Sequence, residues 1–600
     1  MRKITREIWT LFLFFAFCPP ALAAGGAQKR ADEFLKTYNA FHQPITYQVS
    51  EAYWKASTDV KDESVGERIG AEKTASVFWG NRYVIDRARE LLKHRRELAP
   101  ITVRQLRQIL YLASRYPATI PDVVRDLVEA EAKQAEIQDA FQYCLKRSGT
   151  KCTKPITPNG IDEILLRETN LKKRLQAWSA SKELGKPLKD GLERLEALRN
   201  RVAKEMGHSS FFALQVSDYD MSVADMMSLL DRTLADTKPL YDQLHCWAKN
   251  DLAKKYGRPV PKKIPADWLG NRWGQEWPGL VKAAELDDLF KGKTPQWIVE
   301  QAERFYLTLG FSKLPESFWK KSDLFALPAN APRKKNTHAS AWHMDIDHDV
   351  RSLMSVEPNW YWFGTAHHEL GHIFYFLSYS RPAVPLVLRE GANRAFHEAV
   401  GDLIFIASTQ PEYLRKIGLL PADRKIDATQ WMLNQALEES IVFLPWSAGV
   451  MSHFEHDLYE KNLPKSDFNR RWWELVNTYQ GIEAPGPRPE DSCDACTKTH
   501  INDDPAQYYD YALAVLIKHQ LHSHICSKIL KTDVHSCDYT RDPKVGAFLS
   551  GILKAGKTRD WRKVMMEATG EPIGSRALME YYAPLAEYLK SQNAGRECSY

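Results

Sequence analysis

The chain has 600 residues, 44% of them hydrophobic and 11% aromatic, which is ample for a large core in one or several domains. Its formal charge of +6 is nearly balanced and no dense Lys/Arg run stands out, which argues against a nucleic-acid partner. Beyond the N-terminus no stretch approaches about 20 apolar residues, which argues against a membrane span.

The first element is a leader. Arg2, Lys3 and Arg6 precede an apolar run over residues 8–17, and Ala21, Leu22 and Ala23 supply a cleavage site, so residues 1–23 read as a signal peptide. Its removal takes away three cations and one anion and leaves +4. Cys18 follows Phe17 where a lipoprotein signal needs a small residue, so no lipid or membrane anchor is expected. The mature chain, residues 24–600, is expected to be exported, periplasmic or secreted, and to act as a monomer.

Downstream, helical periodicity is clear over residues 87–98, 123–138 and 193–206, while strand-like runs are rare. No repeat, low-complexity tract or Gly/Ser linker divides the chain, although loops punctuate it at 258–265 and 327–335. These features predict a single large, mainly α-helical domain. The clearest strand candidate is 337–342, followed by an Asp-rich turn at 345–349, a small β-hairpin. An exported chain can oxidise its cysteines. Cys144 with Cys152, Cys493 with Cys496, and Cys526 with Cys537 are spaced to staple short loops, whereas Cys246 and Cys598 have no evident partner.

The chemistry concentrates after the hairpin. Residues 361–379 form an apolar, aromatic helix closed by Pro382, and His368 and His372 lie one turn apart on it, so both imidazoles can share one zinc ion. Glu369 stands beside the first ligand, where its carboxylate can reach a water and act as general base. A second helix is expected to start at the N-cap Asn393 and to carry Glu398 and Asp402 on one face. Glu398 completes a three-residue ligand set that leaves a coordination place open, the mark of a catalytic site. Asp402 is placed to hydrogen-bond the outer nitrogen of a ligating histidine. The metzincin extension is excluded, because Tyr375 and Ser378 stand where it needs a glycine and a third histidine.

Two other strings are set aside. Residues 551–558 satisfy the P-loop pattern, but a P-loop follows a strand and 545–554 reads as a helix. No GxSxG string is present for a serine hydrolase.

Around the histidines, His367-His368-Glu369-Leu370-Gly371-His372, Leu388-Arg389-Glu390-Gly391-Ala392-Asn393 and Phe396-His397-Glu398-Ala399-Val400-Gly401-Asp402 follow one another, and Thr337-His338-Ala339-Ser340-Ala341-Trp342, Trp273-Gly274-Gln275-Glu276-Trp277 and Phe443-Leu444-Pro445 add to them. Together they resemble the angiotensin-converting enzyme family, the gluzincin-type peptidyl-dipeptidases A, over most of the mature chain. The resemblance implies a helical domain with a deep central channel and an N-terminal helical lid, one zinc ion per chain, peptide substrates with a free C-terminus, and release of dipeptides. It also assigns roles. Gln275, Lys498 and Tyr508 would hold the C-terminal carboxylate, His338 and His500 would bond substrate carbonyls, the backbone from Ala339 to Ala341 would pair with the peptide, and Tyr511 would stabilise the oxyanion. One extra residue between His500 and Tyr511 leaves Tyr509 as a rival for the tyrosine roles. The monocarboxypeptidase branch has an arginine where Gln275 stands, so a monocarboxypeptidase is the alternative enzyme and a non-catalytic peptide binder the alternative class. Lys182, Val476 and Asp510 occupy the positions of chloride-binding arginines, which argues against chloride activation. The disulfide beside the His338 strand is missing, since Thr337 replaces one cysteine.

Overall fold

A computed structural model describes residues 26–600 apart from 282–285 and 329; the expected leader at 1–23 lies outside them. Helices dominate. The expected helix at 123–138 falls within Pro121–Asp139, and that at 193–206 within Gly185–Glu205 except for its last residue, Met206, which is the C-cap. That at 87–98 is instead Arg82–Lys93, because the Asn81 side chain caps it by accepting the Tyr83 N–H and the chain past His94 tightens into a single 3-10 turn.

One hydrophobic cluster runs from Ile161 to Leu589 and buries Trp178, Trp277, Trp446 and Trp561, the packing of a single large helical domain. A second cluster joins the N-terminal helices, Ala27–Thr58, Arg82–Lys93 and Pro100–Ala113, to Val384, Val387 and Leu388. Those three residues lie between the two helices that carry the histidines and Glu398, so the N-terminal segment covers that junction as a lid. Polar contacts fasten it: Gln43 donates to the Asp345 carbonyl at 3.0 Å, Arg351 pairs with Glu51, and Gln108 donates to Glu390 at 3.0 Å.

The hairpin becomes part of a three-stranded sheet. Val350–Val356 is central, parallel to Asp323–Phe325 and antiparallel to Ser340–His343. The edge strand begins three residues later than 337 because Asn336 Oδ1 accepts the His338 N–H and turns the chain there. The Asp-rich turn closes on Asp345 Oδ1, which accepts the N–H groups of Asp347 and Asp349, each at 2.9 Å.

Among the described residues four disulfides are present: Cys144–Cys152, Cys493–Cys496, Cys526–Cys537, and Cys246–Cys598. The last ties the C-terminal tail to the Val223–Tyr256 helix across a separation of 352 residues, a distance at which spacing carries no signal. Residues 551–558 begin in the last turn of the Pro543–Leu553 helix and follow no strand, and Lys557 is buried against Asp218 and Glu390, so the P-loop string is structural.

Candidate metal centre

The Trp360–Tyr379 helix begins where Asn359 accepts the Trp362 N–H, and its nearly continuous apolar surface requires burial. The Arg394–Ser408 helix begins at Asn393, which accepts the Phe396 N–H at 2.9 Å. The two cross where Gly371 meets Gly401. A Cβ on Gly371 would lie 2.8 Å from the Gly401 Cα, and one on Gly401 would lie 2.8 Å from the His368 ring. Only glycine at both positions permits this approach, and the approach delivers the carboxylates of the second helix to the histidines of the first.

His368 and His372 face each other with their Nε2 atoms 3.1 Å apart, and Glu398 Oε2 lies 3.8 Å from His368 Nε2. The three ligating atoms lie within 4.8 Å of one another. Two imidazole nitrogens and one carboxylate oxygen converging in this way are a fitting donor set for zinc. The surroundings favour positive charge. Burial opposes protonation of His368, yet the hydrogen bond and charge of Asp402, with Oδ1 3.1 Å from His368 Nδ1, outweigh it and push the imidazole up to about 9. Burial also acts on Asp402, but Lys518, which donates to Asp402 Oδ2 at 2.9 Å, and His368 hold that carboxyl far below the usual range. Glu369 is buried, its Oε2 has no hydrogen-bond partner among the described residues, and burial raises its carboxyl to about 7.

One supporting residue has no role in the motif reading. His397 Nδ1 lies 3.3 Å from His372 Nδ1, and its Nε2 lies 3.3 Å from the Tyr379 hydroxyl. Burial pushes His397 down to about 3, so it is neutral. His372 Nε2 faces the other ligand atoms, which puts the His372 proton on Nδ1, where it is donated to His397 Nδ1; the neutral His397 then donates from Nε2 to the Tyr379 hydroxyl. The available signal was its place beside Glu398, since neighbours on that helix turn flank both the ligand and the opposing histidine.

A cavity of about 630 Å³ opens beside these groups, lined by His338, Ala339, Ser340, Ala341, Glu369 and Arg394 among others. His338 is exposed at its rim. The strand Ser340–His343 lies at the edge of its sheet, with one side free to pair with an extended chain.

The remaining predicted residues form a second cluster outside that lining. Lys498 is buried; its ammonium donates to Gln275 Oε1 at 2.6 Å and lies over the rings of Trp273 and Tyr508, 4.5 and 5.4 Å from their centroids. Burial lowers Lys498 to about 8, with Glu276 opposing. The buried Cys493–Cys496 bridge constrains the turn leading to it, and Asn502 anchors that turn by donating to the Cys496 carbonyl at 2.9 Å. His500 packs against Tyr508 and Tyr511, with ring centroids 5.0 and 6.3 Å away, and burial lowers it to about 4, so it is a neutral ring at pH 7. Tyr509, the rival in register, is fully buried against Phe212 and Tyr219 and faces away from this cluster. Lys182 lies between Trp178 and Trp273, and burial lowers its ammonium to about 7. Val476 is core, and Asp510 pairs with Arg394.

The family model described as angiotensin-converting enzyme, peptidase M2, matches residues 26–600. Among similar proteins, the angiotensin-converting enzyme of Theromyzon tessulatum is 27% identical over 586 residues, covering 93% of this chain and 91% of the relative. Those of Mesocricetus auratus and Rattus norvegicus are each 29% identical, over 93% and 95% of this chain; in both cases the chain spans 43% of the relative's length.

Proposed function

Since the chain belongs to the angiotensin-converting enzyme family, whose members are zinc-dependent metallopeptidases, we propose that it is a peptidyl-dipeptidase that removes dipeptides from free peptide C-termini. The observation that supports this best is the buried Lys498 ammonium, held with Gln275 and Tyr508 beside His500 and Tyr511, the latter bonded to Arg394, which lines the cavity of the histidine pair. A carboxylate at Lys498 gains a charge-assisted hydrogen bond in a desolvated pocket, and the neutral Gln275 amide leaves room that a second cation would fill.

His368, His372 and Glu398 would hold a zinc ion, which would supply the Lewis acidity to polarise a carbonyl and acidify a water. The chain does the rest. The strand Ser340–His343 pairs with the extended substrate backbone, and His338 at the rim bonds a substrate carbonyl. Glu369, its carboxyl raised by burial toward neutrality, takes the proton of the attacking water and passes it to the leaving amine as the C–N bond breaks. Tyr511 and His500 donate to the oxygen on which charge develops. The products are a shortened peptide carboxylate and a free dipeptide. Four disulfides suit an oxidising compartment, and among the described residues no helix is long and apolar enough to cross a membrane, so the site is read as acting in the periplasm or outside the cell.

The test is a product analysis. The zinc-loaded mature protein, given a peptide with a blocked N-terminus, should release dipeptides identifiable by mass. Single amino acids would instead assign a monocarboxypeptidase, and an unchanged peptide a binding protein.

A further inference from the structure

Arg394 is the first residue of the helix that carries Glu398, and a cation there works against the helix dipole. Two carboxylates from elsewhere offset it. Arg394 Nε lies 2.8 Å from Asp510 Oδ2, and Nη1 donates to Asp504. Asp510 is fully buried, and its Oδ1 accepts the Tyr511 N–H at 2.6 Å. The remaining nitrogen, Nη2, donates to the Tyr511 hydroxyl at 3.2 Å, and the guanidinium carbon lies 5.6 Å from the centre of that ring. Arg394 also lines the cavity of Glu369 and Glu398. It therefore connects the metal half of the cleft to the half that holds Lys498.

A guanidinium has only donors. Bound to Arg394, the Tyr511 oxygen must accept, so its own proton is left to point elsewhere. Burial and Asp510 raise the phenol to about 12, so that proton stays in place near neutral pH.

We propose that Arg394, clamped by Asp504 and Asp510, is the positioning residue for Tyr511: it fixes the phenol as a donor aimed at the reacting carbonyl. Asp510 fixes the other end of the same residue through its backbone. The inference rests on the peptidase reading but not on the size of the product.

The test is a double-mutant cycle on the zinc-loaded enzyme with Arg394→Met and Tyr511→Phe, reading kcat and KM separately. Arg394→Met should lower kcat about tenfold or more, bounded by the roughly 100- to 1,000-fold expected for Tyr511→Phe, with KM and zinc content little changed. In the Tyr511→Phe background it should cost almost nothing further. Arg394→Lys should recover part of kcat, because one ammonium cannot serve three partners at once. Asp510→Asn provides a second route should Arg394→Met fold poorly, and its loss in kcat should also vanish without the Tyr511 hydroxyl. Effects that multiply fully in the cycle, or that fall on KM, would overturn the assignment. Release of single residues by the wild-type enzyme would overturn the dipeptidase reading alone.

Discussion

The two halves of the cleft are built in opposite ways. In the metal half, His368, Glu369, His372, Glu398 and Asp402 lie within 35 residues on two successive helices, and their geometry follows from one helical turn and one glycine crossing. In the other half, Gln275 is separated from Lys498 and Tyr508 by more than 200 residues of chain and meets them through packing of the whole core. The first half is a local device that any chain with that spacing can approximate. The second exists only once the domain has folded, and it is where the proposed function places the choice of product size.

Perturbing each half separately should give different losses. The largest is expected from Glu369→Gln, which keeps a side chain of the same shape but removes the base; kcat should fall about 100- to 10,000-fold while bound zinc, measured by atomic absorption, stays near one per chain. Lys498→Met strikes the other half. It removes one charge-assisted hydrogen bond, about 1.5–3 kcal/mol, so kcat/KM should fall roughly 10- to 150-fold for peptides with a free C-terminus. Asp402→Asn weakens the support of His368 and should lower zinc affinity about 10- to 100-fold in a competition titration with a chelator, leaving the fully loaded enzyme closer to normal. The smallest effect concerns anions. Arg394 is already neutralised by Asp504 and Asp510, so replacing chloride with acetate at constant ionic strength should leave kcat/KM nearly unchanged.

The same contrast governs what the sequence makes legible. The helical class, the helix start at Asn393, and the convergence of His368, His372 and Glu398 follow from periodicity, capping and spacing, which are local. The strand start at Ser340 was displaced by one side-chain hydrogen bond from Asn336, below what alternation of residue types can register. The Cys246–Cys598 bridge and the Arg394–Asp510 pair join distant segments, so no window of sequence contains both partners. His397 was overlooked for another reason. Its role depends on the rotation of its helix against its neighbour, which brings its ring to His372 although its chain neighbour is the metal ligand.

The central claim is that a buried cation at the far end of the cleft measures the substrate from its C-terminal carboxylate while the metal half cuts it. The direct measurement compares one peptide as its free acid and as its C-terminal amide, with products identified by mass. The free acid should lose a dipeptide, and the amide should be cleaved roughly 10- to 150-fold more slowly, the same loss that Lys498→Met produces on the acid. Equal cleavage of acid and amide would contradict the account.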